Sequence, residues 1–592
     1  MSDTLVLDMS TQSEGAAAVF TKRDWLTILD NQNQNYQGNQ CVIDTSQLAN
    51  SNKYMNYREA YVTIPMLITL TSAQGAAAQP QWAASATSPD WSVGLKNWYG
   101  SIIHSFTLDY NGTTIIQQTP YIGLWNSFKL MTSLSLDDIK TQGSLIGFYP
   151  DTAGSVQFYS AATAAGLGVC NNTISSEDPV TTTLQKHTCS QSQSDVGIAD
   201  MGLNTGLYKR IQAWNFDYVG EAGILGVNAP QYGGGGANGL GLISGSSSLT
   251  TLWQSYVLQH LSGDPDDDNG IYQVAILGIV YLKHVASFFE RVPLVKGVFM
   301  KLTLNLNQSS VSYTMAGGAF TNVVVNSPLG GVSPLMLCGR LDTNAQANSM
   351  PTGNYILSLA VGGRCLNSSQ TSGLNQLPTN SQVGGGSITL NVPAYTFNPV
   401  FEQSYLASPV KKVVYTDVYQ YQVLNVAANS TFNNLVTNGI ANIKSVLLLP
   451  FFTATANAGL LPIQSPFDPA GGGPTSPLVA FSQFNVQISG QNAIYNTERY
   501  AHEQFVNQFK GVNAINGGQT DGLTSGLVGY KDWTQSYTYY YVNCGRMLPV
   551  EEAVPKSVNV LGQNMSARAI DMYVFVEYGV EVSIDILTGS RV

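Results

Sequence analysis

The sequence predicts an all-β protein built from two tandem eight-stranded antiparallel sandwiches. Three observations carry that expectation. The first is vocabulary. Of 592 residues only 11% are charged, while 44% are hydrophobic, with 57 Gly, 31 Tyr and 21 Phe. Aromatic and β-branched runs between Gly and Asn turns suit pleated, half-buried strands. So little charge excludes a disordered chain and a long solvent-exposed helix or coiled coil. The second is an internal repeat: Phe106 and Phe484 lie 378 residues apart in matching contexts, as do Gly112 and Gly490, and Thr119 and Thr497. Two copies of one unit indicate duplication of a β-domain rather than a solenoid. The third is a looser second correspondence. Val274–His284, FFERVPLVKG and Val298–Leu306 match Tyr537–Cys544, GRMLPVEEAVPKS and Val558–Leu561.

Residues 1–29 are small and polar with little periodicity, and read as an N-terminal arm that orders on contact with a partner. Residues 30–405 read as the first sandwich and 406–592 as the second. Strands begin near residue 39. Ala60–Ser72, AYVTIPMLITLTS, is rich in β-branched residues. Phe106–Tyr110 alternates, Asn111-Gly112 turns, and Thr113–Gln118 returns. Asn-Gly between such runs is a strong hairpin signal because both turn positions need positive φ. Thr119-Pro120 then opens a helical pattern, YIGLWNSFKLM, with Pro placed in the first turn. The second copy runs Phe484–Ile488, Ser489-Gly490, Gln491–Tyr495, then a helix from Thr497 to about Lys510. Counting from the first strand, these are D–E-type hairpins, each followed by a short helix.

The excess length of the first copy lies in Gly/Ser/Ala/Asn-rich stretches: Ala73–Ser88, roughly Thr132–Leu258, and Ala316–Gln382. Long insertions at strand ends are tolerable and belong on the surface. The second copy closes on two alternating runs, Met572–Tyr578 and Val580–Leu587, and the boundary falls near 397–410. SYTYYYVN, Ser536–Asn543, has aromatics on both faces, as a strand buried on both sides requires.

The net charge is −11. Neutralising phosphates takes clustered Lys and Arg, so the folded body is not expected to bind nucleic acid directly. Low charge density suits a surface covered by neighbours. The six cysteines (Cys41, Cys170, Cys189, Cys338, Cys365, Cys544) are scattered and read as buried thiols. No secretory signal is expected, and Val274–Leu282 and Val446–Phe452 are too short for the ~20 residues of a membrane span.

Chemical motifs are weak. His502-Glu503 begins an HExxH pattern, but Val506 stands where the second His belongs. Gly234-Gly235-Gly236-Ala237-Asn238-Gly239 matches a dinucleotide fingerprint only in letters, lying in a loop without a βα unit. The carboxylates of Asp264–Asp268 could hold a cation, but an EF-loop register puts Asn269 and Ala275 at its key positions, so a solvated turn is the reading. His104, His187, His260, His284 and His502 are far apart, and no Ser sits in GxSxG. The sequence therefore assigns no catalytic, cofactor or metal residue, and predicts no enzyme.

The segments IIHSFTLDYNGTTIIQQTPYIGLW, YTFNPVFEQSYLAS, KSVLLLPFF and YYYVNCGRMLP resemble the double jelly-roll major capsid proteins of the adenovirus-like double-stranded DNA virus lineage, most of all those of virophages and polinton-like viruses. The resemblance runs from about residue 30 to 592. It implies a double jelly roll and a homotrimer whose pseudo-hexameric capsomers tile an icosahedral shell. It implies a virion location and penton, minor or cement proteins as partners. Long loops of the first roll would form outward towers. Two other readings compete: a host-attachment or glycan-binding β-protein of a virion, and a glycoside hydrolase, for which no carboxylate pair is apparent.

Overall fold

The computed structural model describes residues 19–72, 91–151, 271–339, 353–362, 386–453 and 463–591, with short interruptions, and a few short pieces between 152 and 270. The first eight roll strands are β1 (Phe20–Leu29), β2 (Gln40–Asp44), β3 (Tyr61–Ser72), β4 (Ile103–Tyr110), β5 (Thr113–Ile116), β6 (Ile271–Tyr281), β7 (Met300–Leu306) and β8 (Thr389–Phe397). They form two antiparallel sheets, β1-β8-β3-β6 and β2-β7-β4-β5. The next eight are β9 (Val410–Val426), β10 (Thr431–Ile440), β11 (Ile443–Phe452), β12 (Phe481–Ile488), β13 (Gln491–Asn492), β14 (Tyr540–Asn543), β15 (Lys556–Asn564) and β16 (Ile570–Asp585). Their sheets are β9-β16-β11-β14 and β10-β15-β12-β13. Adding eight to each label of the first order gives the second. Eight strands wound into two facing sheets in this order are a jelly roll, and the chain makes it twice.

Alternation explains the layering. Along β7, Met300, Leu302, Leu304 and Leu306 are buried while the residues between them are not. Along β15, Val558 and Val560 do the same. Each strand thus turns one face to the space between its sheets. The repeat found in the sequence is the fourth-to-fifth hairpin of each roll. Asn111 and Gly112 have φ of 47° and 79°, and Ser489 and Gly490 have 50° and 82°. A Cβ on either glycine would meet nothing within 4 Å, so glycine is there for conformation, not for space.

Several expectations are corrected. Phe20–Leu29, assigned to the arm, is β1, paired with β8 from Phe20↔Phe397 to Leu29↔Thr389. It is an edge strand, and Ile28 is its only buried residue, so the alternation that marks an inner strand is missing. Counted with β1, each hairpin joins the fourth and fifth strands of its roll, the D–E pair read from the sequence. Pro120 stands ahead of helix α1 (Ile122–Ser133), whose preceding residue, Tyr121, is left-handed at φ 57°. A second helix, α2 (Leu136–Ile146), follows behind a Ser135 capping box. The return strand of the second copy stops at Asn492, and Thr497 lies outside the described residues. The two alternating runs at the end are one strand, β16. Gly579, which divides them, stays in register opposite Thr416. A Cβ there would lie 2.3 Å from the Asn442 side-chain amide, which packs over Gly579 and donates to its carbonyl at 3.3 Å.

Part of the third insertion is sheet rather than loop. Ser310–Ala316, Ala319–Asn326 and Gly353–Val361 extend the first sheet, with Gly353–Val361 pairing along Met66–Ser72 where β8 has left β3. The runs AFTNVVVN and NYILSLAV have the β-branched character for it. Between the rolls, Phe397 leads into a helix at Pro399–Leu406, capped by Asn398, before β9 begins.

Candidate assembly surfaces and the cavity between the rolls

Helix α1 is buried nearly all round, with Ile122, Leu124, Trp125, Asn126, Ser127, Phe128, Leu130 and Met131 inside. A helix with no wet face lies between two packed layers. Here one layer is the first roll, reached through the hairpin, and the other is the β9-β16-β11-β14 sheet of the second. Phe128 stacks on Tyr541 at 5.8 Å and meets Tyr539 edge-on at 5.2 Å. Tyr121 meets Tyr573 at 5.0 Å, and Trp125 lies 6.1 Å from Phe575. The alternate residue Tyr540 points the other way, to Phe481 at 4.5 Å and Phe484 at 5.2 Å inside the second roll. The aromatic strand is thus buried on both faces, as read from its sequence.

Polar groups cross the seam as well. Lys96, 1% exposed, donates through Nζ to the carbonyls of Ile463 and Ala470 at 3.2 and 3.0 Å. The Tyr537 hydroxyl donates to the Asp151 carbonyl at 2.9 Å, and Asp151 forms a buried pair with Arg210 at 2.9 Å. Thr119 Oγ1 donates to Val418 O at 2.7 Å, and Tyr415 to Ile115 O at 2.5 Å. Such bonds hold only when both rolls keep one relative placement, because each buried group would otherwise lose its partner.

The seam encloses a cavity of about 220 Å³. Its apolar wall includes Phe106, Ile116, Ile122, Trp125, Leu130 and Val418, and its polar wall Asn126, Lys129, Lys283, His284, Glu290 and Asp417. Asp417 accepts from the Val418 amide at 2.9 Å and the Tyr578 hydroxyl at 3.1 Å. Burial nonetheless holds its carboxyl above the usual range. Burial lowers His284 to about 4, with the Lys283 charge adding to the effect, so this imidazole is neutral at pH 7. No local spacing announced this cavity, because its walls come from separated parts of the chain: Phe106, 116–133, 283–290 and 416–418.

The second surface is the outer edge of each roll. β1 and β9 are the terminal strands of their sheets. β9 exposes Val410 (45%), Val414 (55%) and Leu424 (58%), and β1 exposes Trp25 (49%) and Leu29 (61%). Long strands with bare hydrogen-bonding edges and apolar side chains pair with other chains unless something covers them.

The residues weighed in the sequence fall apart in space. Cys41 is a buried free thiol and Cys544 a half-buried one, and burial raises both, Cys544 to about 12. Asp264–Asp268, Gly234–Gly239, His187, His260, Cys189 and Cys365 lie outside the described residues. His502 opens a helix (His502–Ile515), against Tyr530 and Trp533 at 5.7 and 6.2 Å. Among the described residues no cluster of His, Cys, Asp and Glu could hold a metal, and no helix is long and apolar enough to cross a membrane.

No protein-family model matches the sequence, and no curated protein matches it. Solved structures are similar at low identity. One is a chain of the Sputnik virophage structure determined by cryo-EM, with 11% identity, a TM-score of 0.45, and coverage of 98% of this chain and 90% of that one. The mavirus major capsid protein has 7% identity and a TM-score of 0.40, over 99% and 93% of the two chains. The Faustovirus major capsid protein has 8% identity and a TM-score of 0.39, over 98% and 94%.

Proposed function

We propose that this chain is a viral major capsid protein. Three copies form a homotrimeric, pseudo-hexameric capsomer, and capsomers tile an icosahedral shell around a double-stranded DNA genome. The observation that carries the reading is the duplication itself: one eight-strand order, repeated within a chain and locked across a buried seam. Two like rolls per chain give six per trimer, which lets threefold symmetry fill a sixfold lattice position. The exposed apolar edges of β1 and β9 supply surface for that association. The sparse charge of the chain, 11%, fits a molecule largely covered by neighbours. The resemblance of the hairpin, inter-roll and YYYVNCGRMLP segments to the virophage-type capsid proteins points the same way.

On this reading the protein works in the virion. Its partners are its own copies, then penton and minor or cement proteins. Three chains at −11 each put −33 on a capsomer, so the genome is separated from it by counterions, other proteins or a membrane. The two rolls divide the chain in the helix between Phe397 and Val410. The test is negative-stain imaging of the purified chain at increasing concentration. Hexagonal particles that grow into sheets or shells support the reading. Single β-rich particles that never associate would send attention to glycan arrays and the attachment reading.

A further inference from the structure

The cavity between the rolls adjoins a wider recess lined by Arg58, Ser133, Lys283, His284, Glu290 and Arg291, and four of those residues line both. Arg58, Lys129, Lys283 and Arg291 therefore gather around one opening in a chain of net charge −11. None of the four has a carboxylate partner among the described residues. Behind them, Asn126 is 2% exposed and its Nδ2 has no acceptor, and His284 Nδ1 is also buried without a partner. A buried amide left unpaired loses the hydrogen bond it would make to water. Beyond these donors the wall is apolar, formed by Ile116, Ile122, Trp125 and Leu130. Donors and cations at one end, with hydrocarbon at the other, complement a molecule of the opposite design.

We propose that the inter-roll cavity binds a small amphiphilic anion, its phosphate or carboxylate head held by Lys129, Lys283 and the Asn126 amide, and its short apolar body lying against Trp125 and Leu130. Thr416–Val418 of the second roll and α1 of the first both line the cavity, so the ligand touches both rolls. Glu290 and the buried Asp417 line the same space, where the four cations Arg58, Lys129, Lys283 and Arg291 outnumber these two carboxylates. The site lies within one chain, so it stands or falls separately from the capsid reading.

The test is titration of the full-length protein with hexyl phosphate by calorimetry, with inorganic phosphate and hexanol as separate arms. The proposal expects one hexyl phosphate per chain, bound at least tenfold tighter than either fragment. Lys129→Met and Lys283→Met should each weaken it tenfold or more, while Lys412→Met, on the exposed edge of the second roll, leaves it unchanged. Should either Met variant fail to fold, Arg291→Gln at the open recess serves instead, with a severalfold loss expected. Equal binding of inorganic phosphate would reduce the site to a cationic patch, and equal binding of hexanol to an apolar void. No binding, or binding indifferent to Lys129→Met, Lys283→Met and Arg291→Gln, would also overturn the proposal.

Discussion

At the scale of single residues, the two hairpin glycines show conformation deciding a position that packing leaves open. Replacing glycine by alanine where the backbone tolerates it stabilises by about 0.4–1 kcal/mol through the unfolded chain. At Gly490, with φ of 82° and no neighbour within 4 Å, the sign reverses. Gly490→Ala is expected to destabilise by about 1–2 kcal/mol, the cost of a left-handed L-residue, measured by denaturant unfolding. Asn-Gly was legible in the sequence because its chemistry is local. His284 was not, because what matters there is burial. Its pKa is lowered from 6.5 to about 4, chiefly by desolvation. A depressed histidine contributes stability that is complete above pH 6.5 and lost as pH falls through 4. Asp417, raised by burial, acts with the opposite sign and gains relative stability on acidification. The comparison that isolates His284 is therefore wild type against His284→Gln. Between pH 7 and 4 the wild type should lose on the order of 3 kcal/mol more than the variant.

At the scale of elements, α1 joins the rolls, and its aromatic face does most of the joining. Phe128 is 1% exposed and touches Trp125, Phe509, Tyr539 and Tyr541. Phe128→Ala should cost about 3–5 kcal/mol, while Leu136→Ala, at the 68% exposed start of α2, should stay within about 0.5 kcal/mol. Denaturation midpoints read at equal slope distinguish the two. The strands show what periodicity can and cannot reveal. β4, β7 and β15 were legible because a buried face leaves a two-residue pattern, and β3 through its β-branched residues. β1 was missed because an edge strand buries little, and β16 was split because Gly579, which stays in register opposite Thr416, looked like a turn. The extra strands of the first sheet were hidden in a stretch whose composition reads as loop. The cavity left no pattern, since tertiary packing alone assembles it. The exposed edge of β9 carries its own prediction. Val414→Lys with Leu424→Lys should leave the fold intact, because both sites are solvated, yet shift the association equilibrium toward single chains. Sedimentation velocity across a concentration series would detect it.

At the scale of the whole molecule, two jelly rolls share one seam, and β1 and β9 stand at sheet edges with apolar side chains exposed among the described residues. Independent beads on a linker would need no buried Lys96, no Tyr537 reaching Asp151, and no helix dry on every side. The rolls form a rigid pair, and a rigid pair with bare edges is suited to closed association. An obligate interface of this kind buries roughly 2,000 Å² or more and persists on dilution. On the proposed function, contacts between capsomers are weaker than those within one, so that errors in a growing lattice dissolve. The most direct measurement is the solution mass of the purified chain by light scattering, taken down to low concentration. The account predicts ~190 kDa, three chains of 63.5 kDa each, independent of dilution. A stable, well-folded species at 63.5 kDa across the whole range would contradict it.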